Sequence, residues 1–335
     1  MLLDALLPST RLRDVPAIAR AAEEFGFAGL WSSETQHDPL LPLALAAEHS
    51  QRLTLGTALT VAYARTPGAL AYPAWDLAQA SGGRFIFGLG TQVRAHIERR
   101  FGGEWPESPA GRMREIVAAL RALWASWQTG EKLNFRGRHF KLTLMSPFFN
   151  PGPIDTPDIP IYLAGVNPAM CRVAGETAQG FLVHPYHTVK YLDEVVRPAI
   201  AEGEQLSGRP AGSVALFVTA FVVPEPSMAG AVRAQIAFYA STPAYRPVME
   251  RHGWGEMADE LSQRARRGAW SEMGDLISDA MLEAFAVVAP WQELSVELER
   301  RYRGRAARLA VYLPFRPGER DEFWRDLAAG LASIS

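Results

Sequence analysis

Short apolar runs alternate with amphipathic segments from the first residue onward. The run LLDALLP (2–8) stops at Pro8, and Asp14 is placed to cap a helix from Val15 to Phe25. In that helix Val15, Ile18, Ala19, Ala22 and Phe25 share one face, and Gly26 ends it. AGLWSS (28–33) reads as a second strand, PLLPLALAAEHS (39–50) as a helix and LTLGTALTVAYA (53–64) as a third strand. Thr66-Pro67 opens a helix closed by Gly82-Gly83, the usual placement of proline at a helix start and glycine after its end. RFIFGLG (84–90) is the fourth strand.

The rhythm pauses over 91–158, which holds a long helix (about 110–128), the hairpin-like LNFRGRHFKL (133–142) and a loop rich in Pro, Phe and Asn. It resumes with IPIYLA (159–164), a helix from Pro168, GFLVHP (180–185), a helix near 188–206 and SVALFVTAFVV (213–223). Helices are expected through most of 227–301, before RLAVYLPF (308–315) and a terminal helix. Eight strands in βα order, each apolar on both faces, predict an α/β chain folded as a (β/α)8 TIM barrel over 1–335, with insertions at 91–158 and 227–301. The alternative is an open doubly wound sheet, but LLPSTRLRD lacks the Gly-rich turn such a sheet carries after its first strand.

Composition narrows the function classes. The chain has 335 residues, 48% hydrophobic and 21% charged, with a net charge of −2. No broad field favours nucleic acid or an anionic membrane, and no apolar stretch reaches membrane-spanning length. One cysteine, Cys171, excludes a disulfide framework. No signal peptide is read at the start, so a cytoplasmic protein acting on a small molecule is the expectation.

In a barrel, chemistry belongs where the strands end. Strand two ends in Glu34, Gln36 and His37; strand four in Gly90, Thr91 and Gln92; strand five in Ala164, Gly165, Val166 and Asn167; strand six in His184 and His187. His37 is the candidate acid/base, because an imidazole changes charge near neutral pH, with Glu34 to orient it. Each also has a structural reading: His37 with Asp38-Pro39 as a helix cap, Glu34 as an arginine partner. AGVN leads into a helix with Pro168 in its first turn, so its free N–H groups suit an anion such as a phosphate. His184 and His187 lack the spacing of a metal site. Arg94 and Glu98 read as a salt-bridged helix face.

The segments EEFGFAGLWSSE, LTLGTALTVAYARTPGALA, LAQASGGRFIFGLGTQ, IPIYLAGVNPAMCRVAGETAQGFL and MLEAFAVVAPWQEL occur in this order. With them the chain resembles the luciferase-like monooxygenase superfamily and, within it, the oxidoreductases that use the deazaflavin coenzyme F420. The resemblance implies a flavin-like ring at the strand ends, with hydride carried by the cofactor. It implies a non-prolyl cis peptide at Ala58-Leu59 behind the ring, the cofactor phosphate at Ala164, Gly165, Val166 and Asn167, and acid/base work in the Glu34–His37 region. Gln92 and His184 join the cofactor-facing set, and a homodimer is implied by analogy. Two departures stand out. Thr35 and Gln36 separate Glu34 from His37, where relatives often place the histidine next to the acid, and Gln92-Val93 stands where some relatives carry a glutamate. Arg94, Arg99, Arg100 and Arg172 would suit the anionic tail of F420. Trp105, Phe148, Phe149, Trp254 and Trp270 are expected to wall the substrate pocket. Other readings are an FMN-dependent monooxygenase, a flavin-free lyase or hydrolase using Glu34, His37 and His184, and a non-catalytic flavin-binding barrel.

Overall fold

The computed structural model describes residues 1–334. Eight parallel strands close into a barrel: β1 (Leu2–Leu6), β2 (Gly29–Ser32), β3 (Thr54–Thr57, continued by Thr60–Val61), β4 (Phe85–Gly90), β5 (Ile161–Gly165), β6 (Gly180–Val183), β7 (Ala215–Val223) and β8 (Arg308–Val311). Closure comes from β8 pairing with β1, Arg308 opposite Leu2 and Leu309 opposite Leu3. That pairing excludes the open sheet. Each strand is buried almost throughout, as a strand covered by helices outside and by side chains inside must be.

Two apolar layers hold the barrel. The larger lies between strands and helices; the smaller fills the interior with Trp31, Ile86, Tyr162, Leu182, Phe217 and Ala310. Trp31 stacks on Phe217 at 4.4 Å, and its indole N–H donates to Asp4 at 2.9 Å. Asp4 in turn accepts two bonds of 2.7 Å from the Arg308 guanidinium, a buried bidentate pair joining β1 to β8. Large rings fit here only because glycines face them. A Cβ on Gly56 would lie 2.4 Å from the Trp31 ring, and one on Gly180 would lie 2.4 Å from Tyr162. Leu6, Ala58, Leu59 and Ala164 form the partly exposed top of this inner layer.

Three details depart from the sequence pattern. The third strand does not run unbroken over 53–64: between Gly56 (opposite Ile86) and Thr60 (opposite Leu89) β3 spends four steps against three in β4. One extra residue makes a bulge, and the cis Ala58-Leu59 peptide lies within it. The segment 227–301 is not wholly helical: Ala286–Val288 forms a short strand beside the end of β7. The helix near 188–206 is widened at Leu192–Val196, just before Pro198, whose missing N–H breaks the regular ladder. The expected hairpin is present but short, Phe135–Arg136 against Lys141–Leu142. Among the described residues, no helix is long and apolar enough to cross a membrane.

Candidate active site

The bulge in β3 is the feature from which the barrel mouth is built. Thr57 holds its near side: the hydroxyl donates to the Gly88 carbonyl at 2.7 Å and accepts from the Gly88 N–H at 3.0 Å, replacing the ladder bonds that the extra residue interrupts. Strand β2 and the loop after it hold the far side. Ala58 N–H donates to Ser32 O at 2.7 Å, the Ser33 hydroxyl donates to Ala58 O at 2.8 Å, and Glu34 N–H donates to Leu59 O at 3.1 Å. Every polar backbone group so named has a partner in β2, its loop or β4, so Ala58 and Leu59 are left to present apolar, half-buried side chains to the mouth.

Glu34 completes this brace. Its buried carboxylate accepts from Val61 N–H at 2.7 Å and from the Arg65 guanidinium at 2.9 and 2.7 Å. Arg65 also donates to Val61 O at 3.2 Å and to Asp38 at 3.1 Å, while Asp38 caps the next helix through Leu40 N–H at 2.8 Å. Salt bridges to Glu34 and Asp38 hold the Arg65 pKa above its ordinary value despite partial burial. The bonds of the Glu34 carboxylate run to Val61 and Arg65 rather than to His37. His37 itself is exposed and lines a small cleft with Pro8, Ser9, Ser32, Ser33 and Thr35. The lateral walls of that cleft come from the ends of β1 and β2.

Opposite, β4 ends in Gln92, whose φ of 61° lies in the left-handed region that a non-glycine residue seldom adopts. The conformation is held locally, with the Thr91 hydroxyl donating to Gln92 O at 2.8 Å and Gln92 Oε1 accepting from Val93 N–H at 3.0 Å. Strand β5 delivers Ala164 and Gly165, both half-buried, and Asn167 opens the helix Pro168–Thr177 without a side-chain cap bond. Asn167 instead donates to Ala244 O at 3.3 Å, and the Tyr191 hydroxyl donates to Val166 O at 3.2 Å. A Cβ at Gly165 would come within 2.8 Å of Met170, so this close strand-to-helix turn needs glycine.

Strand β6 ends in His184, set among rings: Tyr239 lies edge-on at 4.8 Å and Tyr245 at 4.7 Å. Its Nδ1 accepts from Tyr186 N–H at 3.0 Å. Desolvation, with His187 beside it, pushes the His184 pKa down to about 3, so the ring is neutral at pH 7. His187 is buried deeper. Its Nδ1 meets His184 O at 2.9 Å and its Nε2 meets the Tyr302 hydroxyl at 3.1 Å, and burial lowers its pKa to about 4. His187 thus fixes the turn that carries His184.

Other expected residues go elsewhere. Arg94 pairs with Glu98 at 2.8 Å and Arg172 with Glu202 at 2.8 Å, and Arg100 donates to Thr35 O. Three of the four expected arginines are thus engaged within the chain. Trp254 stacks on His252, Trp105 packs edge-on against Tyr63, and Trp270 sits beside Phe238. Phe148 and Phe149 are 89% and 59% exposed. The aromatic residues that do gather at the strand ends are Tyr186, Tyr239, Tyr245 and Tyr312, with Phe221 beneath. They come from three separate segments, and no spacing in the sequence links them.

Comparison with known proteins places this geometry. Residues 3–308 match the family model described as luciferase-like monooxygenase. An uncharacterized protein of Mycobacterium tuberculosis is 46% identical over 308 residues, covering 90% of each chain. A 5,10-methylenetetrahydromethanopterin reductase of Methanolobus tindarius is 29% identical over 287 residues, 84% of each chain. The solved coenzyme F420 dependent tetrahydromethanopterin reductase of Methanopyrus kandleri superposes with a TM-score of 0.79 at 22% identity, over 99% of both chains. With its closed barrel and its family match along nearly the whole sequence, the chain belongs to the luciferase-like monooxygenase family.

Proposed function

We propose that this protein is an oxidoreductase that uses the deazaflavin coenzyme F420 to transfer hydride to or from a small organic substrate. The observation that carries the reading is the β3 bulge, which sets the apolar Ala58 and Leu59 side chains, half-buried, at the mouth of a filled barrel. A flat tricyclic ring needs such a backing surface, polar groups at its edge and an anion cradle nearby, and the residues present suit all three. Ala58 and Leu59 back the ring. Gln92 reaches its polar edge from the end of β4. Gly165, Val166 and Asn167 receive the phosphate where β5 meets its helix, aided by the helix dipole. His184 closes that side as a neutral ring.

When bound, F420 supplies a carbon that gives or takes hydride. The chain's own tasks are to hold the substrate against that carbon, keep water out and move the accompanying proton. His37 takes the proton role: it is exposed, its ring nitrogens are free to exchange with solvent, and it stands in the cleft between the ends of β1 and β2. Glu34 acts as the brace that keeps the bulge, and so the ring backing, in place.

The names of relatives agree with this reading, since the reductase from Methanopyrus kandleri is described as F420-dependent. The test is a pair of titrations of the purified protein, with F420 and with FMN, followed by fluorescence. Saturable F420 binding without FMN binding is the expected result. FMN binding without F420 binding would replace the proposal with a flavin monooxygenase.

A further inference from the structure

Four tyrosines gather on the side of the mouth formed by the ends of β6, β7 and β8, facing the β3 bulge across the barrel axis. Tyr239 comes from the helix Ala229–Ala240, Tyr245 from the turn after it, and Tyr312 from the residue that follows β8. Tyr239 spans the gap between strands: it touches His184 at the end of β6 and Phe221 in β7, and its hydroxyl lies 2.8 Å from the hydroxyl of Tyr312. Asn167 ties the same insertion to the end of β5 through Ala244. The insertion is therefore anchored over the strand ends rather than hanging from the outside of the barrel.

Hydrogen-bond accounting singles out the Tyr239–Tyr312 pair. Two hydroxyls carry two protons, and only one is used between them. Gln235 also bonds the Tyr239 side chain, so the O–H left over belongs to Tyr312, which is 36% exposed. Desolvation raises the Tyr239 pKa well above neutrality, so its phenol stays protonated at working pH.

The rings around the pair carry no charge. The rings in contact with the pair are His184, Phe221, Phe238, Tyr186 and Tyr245, and His184 is neutral at pH 7. Arg246, next to Tyr245 in the chain, is engaged by Asp259 at 2.8 and 2.9 Å and by Glu250. A phosphorylated or carboxylate substrate would meet no counter-charge among these rings. A ring-bearing, uncharged one would meet flat apolar faces and one phenolic donor.

Building on the F420 reading, we infer that this box binds an uncharged, ring-bearing alcohol or carbonyl compound, with the Tyr239–Tyr312 hydroxyl pair holding its oxygen. Tyr239 and Tyr312 are then substrate-contacting residues, and His184 is a neutral wall.

Acetophenone, ethylbenzene and glucose 6-phosphate serve as probes, each followed by saturation-transfer NMR on the F420-loaded protein and on the protein alone. Acetophenone is expected to bind more tightly than ethylbenzene, which has the ring but no oxygen, and glucose 6-phosphate to show no saturation. Tyr239→Phe and Tyr312→Phe should each weaken acetophenone about fivefold, the loss of one neutral hydrogen bond, while leaving ethylbenzene and F420 affinity unchanged. Equal weakening of acetophenone and ethylbenzene would mean that the hydroxyls only shape the box, and would overturn the assignment. So would tight binding of glucose 6-phosphate, or acetophenone binding indifferent to both variants. Failure of the F420 titration would sink the proposed function separately, because the protein-alone arm reads the box without cofactor.

Discussion

Replacing Glu34 separates a brace from a proton carrier. In Glu34→Ala, Val61 loses the acceptor of its buried N–H, and an unmade buried donor costs about 1–3 kcal/mol. Arg65 loses its main partner but keeps Asp38 and Val61 O, and its side chain is one-fifth exposed, so that loss is worth only about 1 kcal/mol. The sum is about 3 kcal/mol. For a chain of this length, the unfolding entropy near the midpoint is about 0.7 kcal/mol per kelvin, which makes the drop in Tm about 4 °C. Glu34→Gln keeps an oxygen for Val61 N–H and gives up only the ion pair, so it should lose about 1 kcal/mol and melt about 1–2 °C lower. Differential scanning calorimetry reads both values, and an F420 titration reads the bulge. The alanine variant should bind F420 at least about tenfold more weakly and the glutamine variant near normally, because only the former releases Val61. If Glu34→Ala melted within about 1 °C of the parent and bound F420 as tightly, the bulge would not depend on this carboxylate and the brace would be wrong.

Three further outcomes follow from other parts of the structure. Asp4→Asn leaves the Arg308 guanidinium buried without a counter-charge beside Trp31 and should cost about 3–5 kcal/mol, read as a lower urea midpoint. The lowered pKa values of His184 (about 3) and His187 (about 4) make the unfolded chain bind protons first as pH falls below about 6.5, so stability is full above that value and declines as pH drops through the folded pKa values. His187 alone contributes a decline of about 3 kcal/mol between about pH 6.5 and 4, and urea melts of His187→Gln should show a shallower acid slope. His37→Ala should bind F420 as the parent does and lose about a hundredfold in turnover on any substrate the parent converts; full turnover would take His37 out of the proton path.

The barrel was legible because its signal is local and repeated: eight apolar runs, each closed by a turn and followed by an amphipathic helix. The ends of those runs led to the candidate residues for the same reason, since strand direction alone puts His37, Gln92, Gly165 and His184 at one face. Long-range partnerships were not legible. Glu34 and Arg65 are 31 residues apart and meet only because an extra residue in β3 turns Val61 and Arg65 toward the β2 loop. Tyr239 and Tyr312 are 73 apart and meet across an insertion whose docking no periodicity reveals. The strand Ala286–Val288 was hidden for a different reason: three residues following the helix Asp279–Phe285 carry too little pattern to announce a change of state. The exposure of Phe148 and Phe149 was not legible either, because a ring in a Pro-rich loop is as free to face solvent as to face a site.

Gly90 offers a way to move the ring backing without touching the brace. It lies at the end of β4, opposite Val61, and a Cβ there would stand 2.5 Å from the Leu59 side chain. Backbone is not what the added methyl meets, and Leu59 is half-buried, so the leucine can swing into the open mouth at modest cost. Gly88 two residues earlier is the contrasting case, since a Cβ there would fall 1.6 Å from Thr57 O, inside the bulge backbone, which cannot yield. Gly90→Ala should therefore fold, lose about 1 kcal/mol and bind F420 at least about tenfold more weakly, because the displaced leucine occupies the space where the ring would lie. Gly88→Ala should fail to fold to a stable barrel. A Gly90→Ala protein that folded and bound F420 as tightly as the parent would mean that the ring does not rest on Leu59. In that event the bulge would be a structural correction of the β3–β4 ladder, and the cofactor would have to be sought on another part of the mouth.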